Sequence, residues 1–205
     1  MKIENIKFGK KFASIVVDGE QYSKLSLLAV QQYRFTEPKE IHLEDWREFL
    51  TYNDETLCKE NLMAMLARSM RTEKEARIKL RQKGHSTSSI NKAMELAKSY
   101  GYLSDTAYAE NFVNCAKSSS GKFKIKRTLK ERGVADEIIE QYTTNLEEDE
   151  LHSAKNIATK YMRSKSIDDP KVKEKLFRHL ASRGFSYDTI KSVVASIGIQ
   201  TDDFE

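Results

Sequence analysis

The sequence predicts an all-α fold, made of tandem three-helix repeats in an elongated array, with a small N-terminal β-hairpin plus helix appendage. Three observations carry this. The 205 residues are 32% charged and 39% hydrophobic, with only 8 Gly and 2 Pro, a helix-favouring balance too apolar for a disordered chain. A spacing of Leu, three residues, Gly, five residues, Ile occurs as Leu80-Gly84-Ile90, Leu129-Gly133-Ile139 and Leu180-Gly184-Ile190, a period of roughly fifty residues that marks a repeat architecture. A further amphipathic run lies upstream of each copy: Leu62, Leu66 and Met70; then Tyr108, Phe112 and Ala116; then Ile157 and Tyr161.

The first segment is of another kind. Ile3, Ile6 and Phe8, then Phe12, Ile15 and Val17, flank a Gly9-Lys10-Lys11 turn, with a second turn at Asp18-Gly19. This alternation reads as a hairpin. Helical patterns follow at Ser23 to Tyr33 and Leu43 to Tyr52, joined through Glu37-Pro38. The expected division is residues 1–55 for the hairpin and helices, 56–103 for repeat one, 104–146 for repeat two and 147–205 for repeat three.

Within each repeat, an apolar or small residue lies four positions before the Leu (Ala76, Ile125, Leu176), so the two share a helix face. A base precedes each Gly (Lys83, Arg132, Arg183), where a cation meets the negative end of the helix dipole and the Gly supplies a left-handed stop. Ser86 and Ser186 stand at the N-cap of the next helix. The middle copy has Ala135 there, leaving Asp136 as the available cap. At Gly101-Tyr102-Leu103-Ser104-Asp105 one unit ends on a Gly and the next starts on a Ser cap, without room for a flexible linker.

Net charge is only +4, but its distribution is uneven. Lys117, Lys122, Lys124, Lys126, Arg127, Lys130 and Arg132 meet one acid, Glu131, and the acids Asp136, Glu137, Glu140 and Glu147 to Glu150 then follow. On a helical wheel Lys122, Lys126 and Lys130 form a stripe away from Ile125 and Leu129. Aligned on the repeat, Arg77 and Arg81 fall where Lys126 and Lys130 stand, whereas repeat three has Phe177 and Ala181. The candidate partner- or nucleic-acid-binding surface is therefore Arg77, Arg81, Lys122, Lys124, Lys126, Arg127 and Lys130; solvation of an exposed helix face is the competing explanation. Tyr100, Tyr102, Tyr108 and Phe112 read as core rather than as a base-stacking platform. Two roles stay open for Glu147 to Glu150, a basic partner surface or the dipole-positive helix start.

Three stretches resemble the RecX family of regulatory proteins, over Leu57 to Gly198. Thr72 to Gly84 is similar to the family's first-repeat motif, a polar cap and a Leu-, Arg- and Lys-rich helix closed by Lys-Gly. Gly101-Tyr102-Leu103-Ser104-Asp105, with Tyr108-Ala109 and Phe112-Val113, resembles its Gly-Tyr-Leu-Asp-Asp stretch. Gly121 to Ile125, Leu129 and Gly133-Val134 resemble its second-repeat helix. Ser104 replaces the usual acid, and Asn114-Cys115-Ala116 stands where members often carry Arg. The resemblance implies tandem three-helix repeats, a protein lying in the groove of the RecA filament on single-stranded DNA, and inhibition of recombination, ATPase and co-protease activities. The rival is a direct DNA-binding helical module, since a three-helix unit with a basic helix also suits a helix-turn-helix reader.

Enzyme chemistry is not expected. His42, His85, His152 and His179 are scattered without a metal-ligand spacing, and there is no phosphate loop or nucleophile elbow. No cofactor is expected. Cys58 and Cys115 lack CxxC spacing and read as reduced, partly buried thiols. With no apolar run approaching the roughly 20 residues of a membrane span, the expectation is a cytoplasmic monomer that binds RecA filaments, with at most weak direct DNA binding.

Overall fold

The computed structural model describes residues 1–163, 165 and 170–197, except the side chains of Glu148 and Pro170; the Gly198 end of the resemblance lies outside the described residues. The chain forms two compact units, Met1–Leu103 and the remainder from Ser104.

The N-terminal unit opens with β1 (Lys2–Phe8), β2 (Phe12–Val17) and β3 (Glu20–Ser26), followed by α1 (Leu27–Tyr33), β4 (Lys39–Glu40), α2 (Leu43–Leu66), α3 (Glu73–Gln82) and α4 (Thr87–Ser99). The expected hairpin is thus part of a four-stranded antiparallel sheet of order β3-β2-β1-β4. The helix expected from Ser23 starts only at Leu27. The turn at Asp18-Gly19 returns the chain alongside β2, pairing Ile15 with Tyr22 and Ala13 with Leu25, and the Ser26 hydroxyl then caps α1 by accepting from Ala29 N–H. The run expected at Leu43 to Tyr52 is only the first part of α2, because neither Gly nor Pro interrupts the chain before Leu66. One end of α2 places Trp46 and Phe49 on the sheet with Ile3, Ile15 and Val17. Its other end places Cys58 and Leu62 against Ala76, Leu80, Ile90 and Met94.

The second unit contains α5 (Asp105–Ala116), α6 (Lys122–Glu131), α7 (Asp136–Thr143), α8 (Glu147–Met162), α9 (Pro170–Ser182) and α10 (Tyr187–Ser196). Tyr108, Val113, Ile125, Leu129 and Ile139 form one core, and Ala154, Ala158, Leu176, Leu180, Ile190 and Val193 another. The helices α3, α6 and α9 end identically. Gly84, Gly133 and Gly184 have φ of +86°, +84° and +80°. Their amides donate to Arg81, Lys130 and Ala181 carbonyls, and the next residues, His85, Val134 and Phe185, donate to Leu80, Leu129 and Leu180. Both bonds of a Schellman motif are present in each copy, so the repeated Leu supplies core packing through its side chain and the stop through its carbonyl.

Ser86 and Ser186 cap α4 and α10, each hydroxyl accepting an N–H at 3.1 Å, from Ser89 and Thr189. In the middle copy the N-cap is Ala135, with no side-chain cap bond, and Asp136 is already helical; its carboxylate pairs with Lys130 instead of capping. Cys58 is buried as expected, but Cys115 is exposed, its thiol 3.9 Å from Asn111 Oδ1 one turn earlier on α5.

Candidate partner-binding surface

The start of α6 is held by the chain reversal after α9. Gly121 N–H donates to Arg183 O at 2.9 Å and Phe123 N–H to Gly184 O at 3.1 Å, so amides lacking an intrahelical acceptor are satisfied by the neighbouring repeat. The approach is too close for a side chain. A Cβ at Gly121 would lie 2.2 Å from Gly184 O, and one at Gly184 would lie 2.4 Å from Lys124 N. With Ile125 and Leu129 buried, the orientation of α6 is fixed: Arg127 and Lys130 are exposed, and Lys122, Lys124 and Lys126 are half-buried.

The five predicted basic residues of α6 are brought together on one helix, but not as a bare positive stripe. Lys126 Nζ donates to both carboxylate oxygens of Glu140, at 2.6 and 2.7 Å. Lys130 Nζ is 3.1 Å from Asp136, and Arg127 Nε is 3.7 Å from Glu131. Lys124 packs its backbone and Cβ against Gly184. Lys122 and Lys126 line a 540 Å³ cleft with Phe123, Glu147, Glu150, Ser186, Asp188 and Thr189. Solvent-exposed pairs like these contribute about 0–1 kcal/mol each, so a charged partner can displace them. Arg77 and Arg81 stand on α3 of the other unit: Arg77 Nη1 donates to Asn91 at 2.7 Å, and Arg81 is exposed.

The helix-end cations do more than face a dipole. Arg132 donates to the Tyr108 hydroxyl and lies 5.7 and 5.1 Å from the Tyr108 and Phe112 ring centres. Arg183 Nη1 donates to Ser119 O at 3.1 Å. Of the aromatics expected in the core, Tyr108 is buried and Phe112 half-buried. Tyr100 and Tyr102 are exposed, because the αL turn at Gly101 projects both beyond the end of α4. The acidic run is used within its own unit: Asp149 pairs with Lys117 at 2.9 Å, and Glu150 Oε1 accepts Ser186 N–H at 3.1 Å.

That last bond has a counterpart that sequence reasoning missed. Asp54 on α2 accepts Ser86 N–H at 3.0 Å through Oδ2, while its Oδ1 lies 2.7 Å from His85 Nδ1. The Asn61 amide is 3.0 Å from His85 Nε2, which leaves Nδ1–H as the donor to Asp54. Burial pushes the Asp54 carboxyl upward, but hydrogen bonds from Ser89, His85 and Ser86 outweigh this and hold it below the usual carboxylate range. An acid on the first helix thus ties the cap of the third in two repeats; its varying distance from the cap hid it. Phe123 was missed too, an aromatic ring 62% exposed on the basic helix.

Among the described residues no group of three His, Cys, Asp or Glu could hold a metal ion, and no helix is long and apolar enough to cross a membrane. Three family models match in order: the first three-helix domain of RecX over residues 58–95, the second over 104–142 and the third over 147–194. The chain belongs to the RecX family. The regulatory protein RecX of Clostridium beijerinckii is 33% identical over 208 residues, covering 99% of this chain and 98% of that protein. A crystal structure of regulatory protein RecX matches with a TM-score of 0.64 at 20% identity, covering 94% of this chain and 98% of that one. RecX from Lactobacillus salivarius matches with a TM-score of 0.64 at 23% identity, over 73% of this chain and 99% of the other. At these identities the two structures bear on fold alone. RecX proteins are regulatory rather than catalytic, and membership gives the chain the family's general role, modulation of RecA.

Proposed function

We propose that this chain is a negative regulator that binds the RecA filament on single-stranded DNA and lowers its ATPase, recombination and co-protease activities. The repeats act as a scaffold that presents α6, with α3 of the first repeat, to the filament. The observation that carries this reading is the row of half-buried and exposed cations on α6, held in place by buried Ile125 and Leu129 within a RecX second domain. Tandem repeats let individually weak contacts combine by raised effective concentration, so no deep pocket is required. The chain acts as a monomer, with only weak affinity for bare DNA.

Co-sedimentation with RecA filaments, beside bare single-stranded DNA at about 0.1 M salt where surface attraction is screened beyond about 10 Å, tests this. Binding to filaments at concentrations that leave bare DNA unoccupied is expected. Equal binding to both, falling steeply with salt as counterion release requires, would instead establish the direct DNA reader.

A further inference from the structure

The cleft between α6 and α10 has a mixed lining that the basic-stripe reading does not use. Phe123, at the second position of α6, exposes 62% of its surface. Lys122 and Lys126 stand on one side of it, and Glu147 and Asp188, from the first turns of α8 and α10, share the same 540 Å³ space. Glu150, also in the lining, is committed to Ser186 N–H. Neither Glu147 nor Asp188 makes an ion pair with a described residue, whereas Lys126 is held by Glu140.

We infer that this cleft docks a protein segment that presents an apolar side chain beside a lysine or arginine. The apolar group packs on the Phe123 ring, and the cation reaches the carboxylates of Glu147 and Asp188. The inference rests on the filament reading above and deepens it: the segment belongs to a RecA subunit, not to the DNA that RecA coats.

Charge complementarity selects a protein over a nucleic acid. A DNA strand following α6 through the cleft would bring its phosphates against Glu147 and Asp188, a like-charge contact, and would find Lys126 and Lys130 already paired with Glu140 and Asp136. A partner cation is attracted by the two carboxylates, which make no ion pair with a described residue. An exposed aromatic ring ringed by charges of both signs is the composition of a protein interface hot spot, in which a large anchor is desolvated and a polar rim excludes water. Nucleic-acid surfaces are instead dominated by one sign.

The two occupants predict opposite signs for one change. In E147Q/D188N the carboxylates become neutral isosteres at exposed positions, and F123A and F123L remove the ring, the first without and the second with apolar bulk retained. Affinities are measured for RecA filaments, for RecA without DNA and for bare single-stranded DNA, with thermal melting as the control for folding. Expected are a roughly tenfold loss of affinity for filaments and for free RecA in E147Q/D188N and a similar loss in F123A, within the range of a single hot-spot truncation, with F123L close to wild type. Tighter binding of E147Q/D188N to filaments and to bare DNA would overturn the inference in favour of phosphate contact, and unchanged affinity in all variants would overturn it outright. If wild type binds no filaments, the filament reading falls and takes this inference with it; if wild type binds and the variants bind equally well, only the inference falls.

Discussion

Glu140, on α7, places both carboxylate oxygens on the ammonium of Lys126, on α6, at 2.6 and 2.7 Å. Two helices joined by the Gly133 turn thereby mask the centre of the basic row that the sequence suggests. Removing the mask and removing the base should therefore act in opposite directions. Filament affinity of K122Q/K126Q/K130Q is expected to fall about tenfold, whereas E140Q is expected to raise it by a factor of a few. Both should melt near wild type, since exposed pairs contribute about 0–1 kcal/mol. Equilibrium binding and circular dichroism melting check both signs.

Two glycines with different tasks should respond differently to alanine. At Gly84 a Cβ meets nothing within 4 Å, so G84A costs only the left-handed backbone penalty, about 1–2 kcal/mol. At Gly121 the Cβ would sit 2.2 Å from the Gly184 carbonyl. G121A must part the second and third repeats or break the Gly121-to-Arg183 bond, at about 2–4 kcal/mol. Urea denaturation of both variants measures the difference.

The acid limb of stability should depend on Asp54. Its folded carboxyl is held below 3.8, so its contribution is fully present above the unfolded value near 3.9 and is lost as pH falls through the folded value. D54N keeps the shape but gives up charged acceptance from His85 and Ser86, with an expected cost of about 1–2 kcal/mol at pH 7 and a shallower loss toward pH 3. Urea midpoints from pH 3 to 7 read both.

His179 acts in a higher window. Burial, then Arg183 and Lys165, lower its pKa below 6.5, so the folded state resists its protonation. That contribution is present above about 6.5 and lost as pH falls below it. H179Q is expected to flatten the melting temperature between pH 7 and 5, where wild type declines.

The two thiols should separate cleanly. Cys58 is fully buried, and burial, aided by Asp54, pushes its thiol up to about 12; Cys115 is exposed. A thiolate reagent at pH 8 should modify one thiol quickly in the folded protein and the second only after denaturation, because the thiolate is the reactive form. C115S should remove the fast phase.

Much of the repeat region was legible because local chemistry and packing agree there: Leu80, Leu129 and Leu180 are fully buried, and the glycines four residues on are left-handed. The N-terminal sheet was harder to read. Tyr22 and Leu25 suit a helix face as well as a strand, and cross-strand pairing with Ile15 and Ala13 decides between them. The basic residues of α6 were legible, but their partners were not. Glu140 lies fourteen residues from Lys126, and only the αL turn at Gly133 makes them neighbours. Charge counting along a chain records sign, whereas masking depends on how helices cross.

The most direct test of the central claim is the single-stranded-DNA-dependent ATP hydrolysis of RecA as this protein is titrated in, at about 0.1 M salt, with bare-DNA binding followed in parallel. The account predicts that hydrolysis falls toward zero at concentrations that leave bare DNA unoccupied, and that K122Q/K126Q/K130Q shifts the curve about tenfold to higher concentration. Unchanged hydrolysis with a well-folded protein would contradict it.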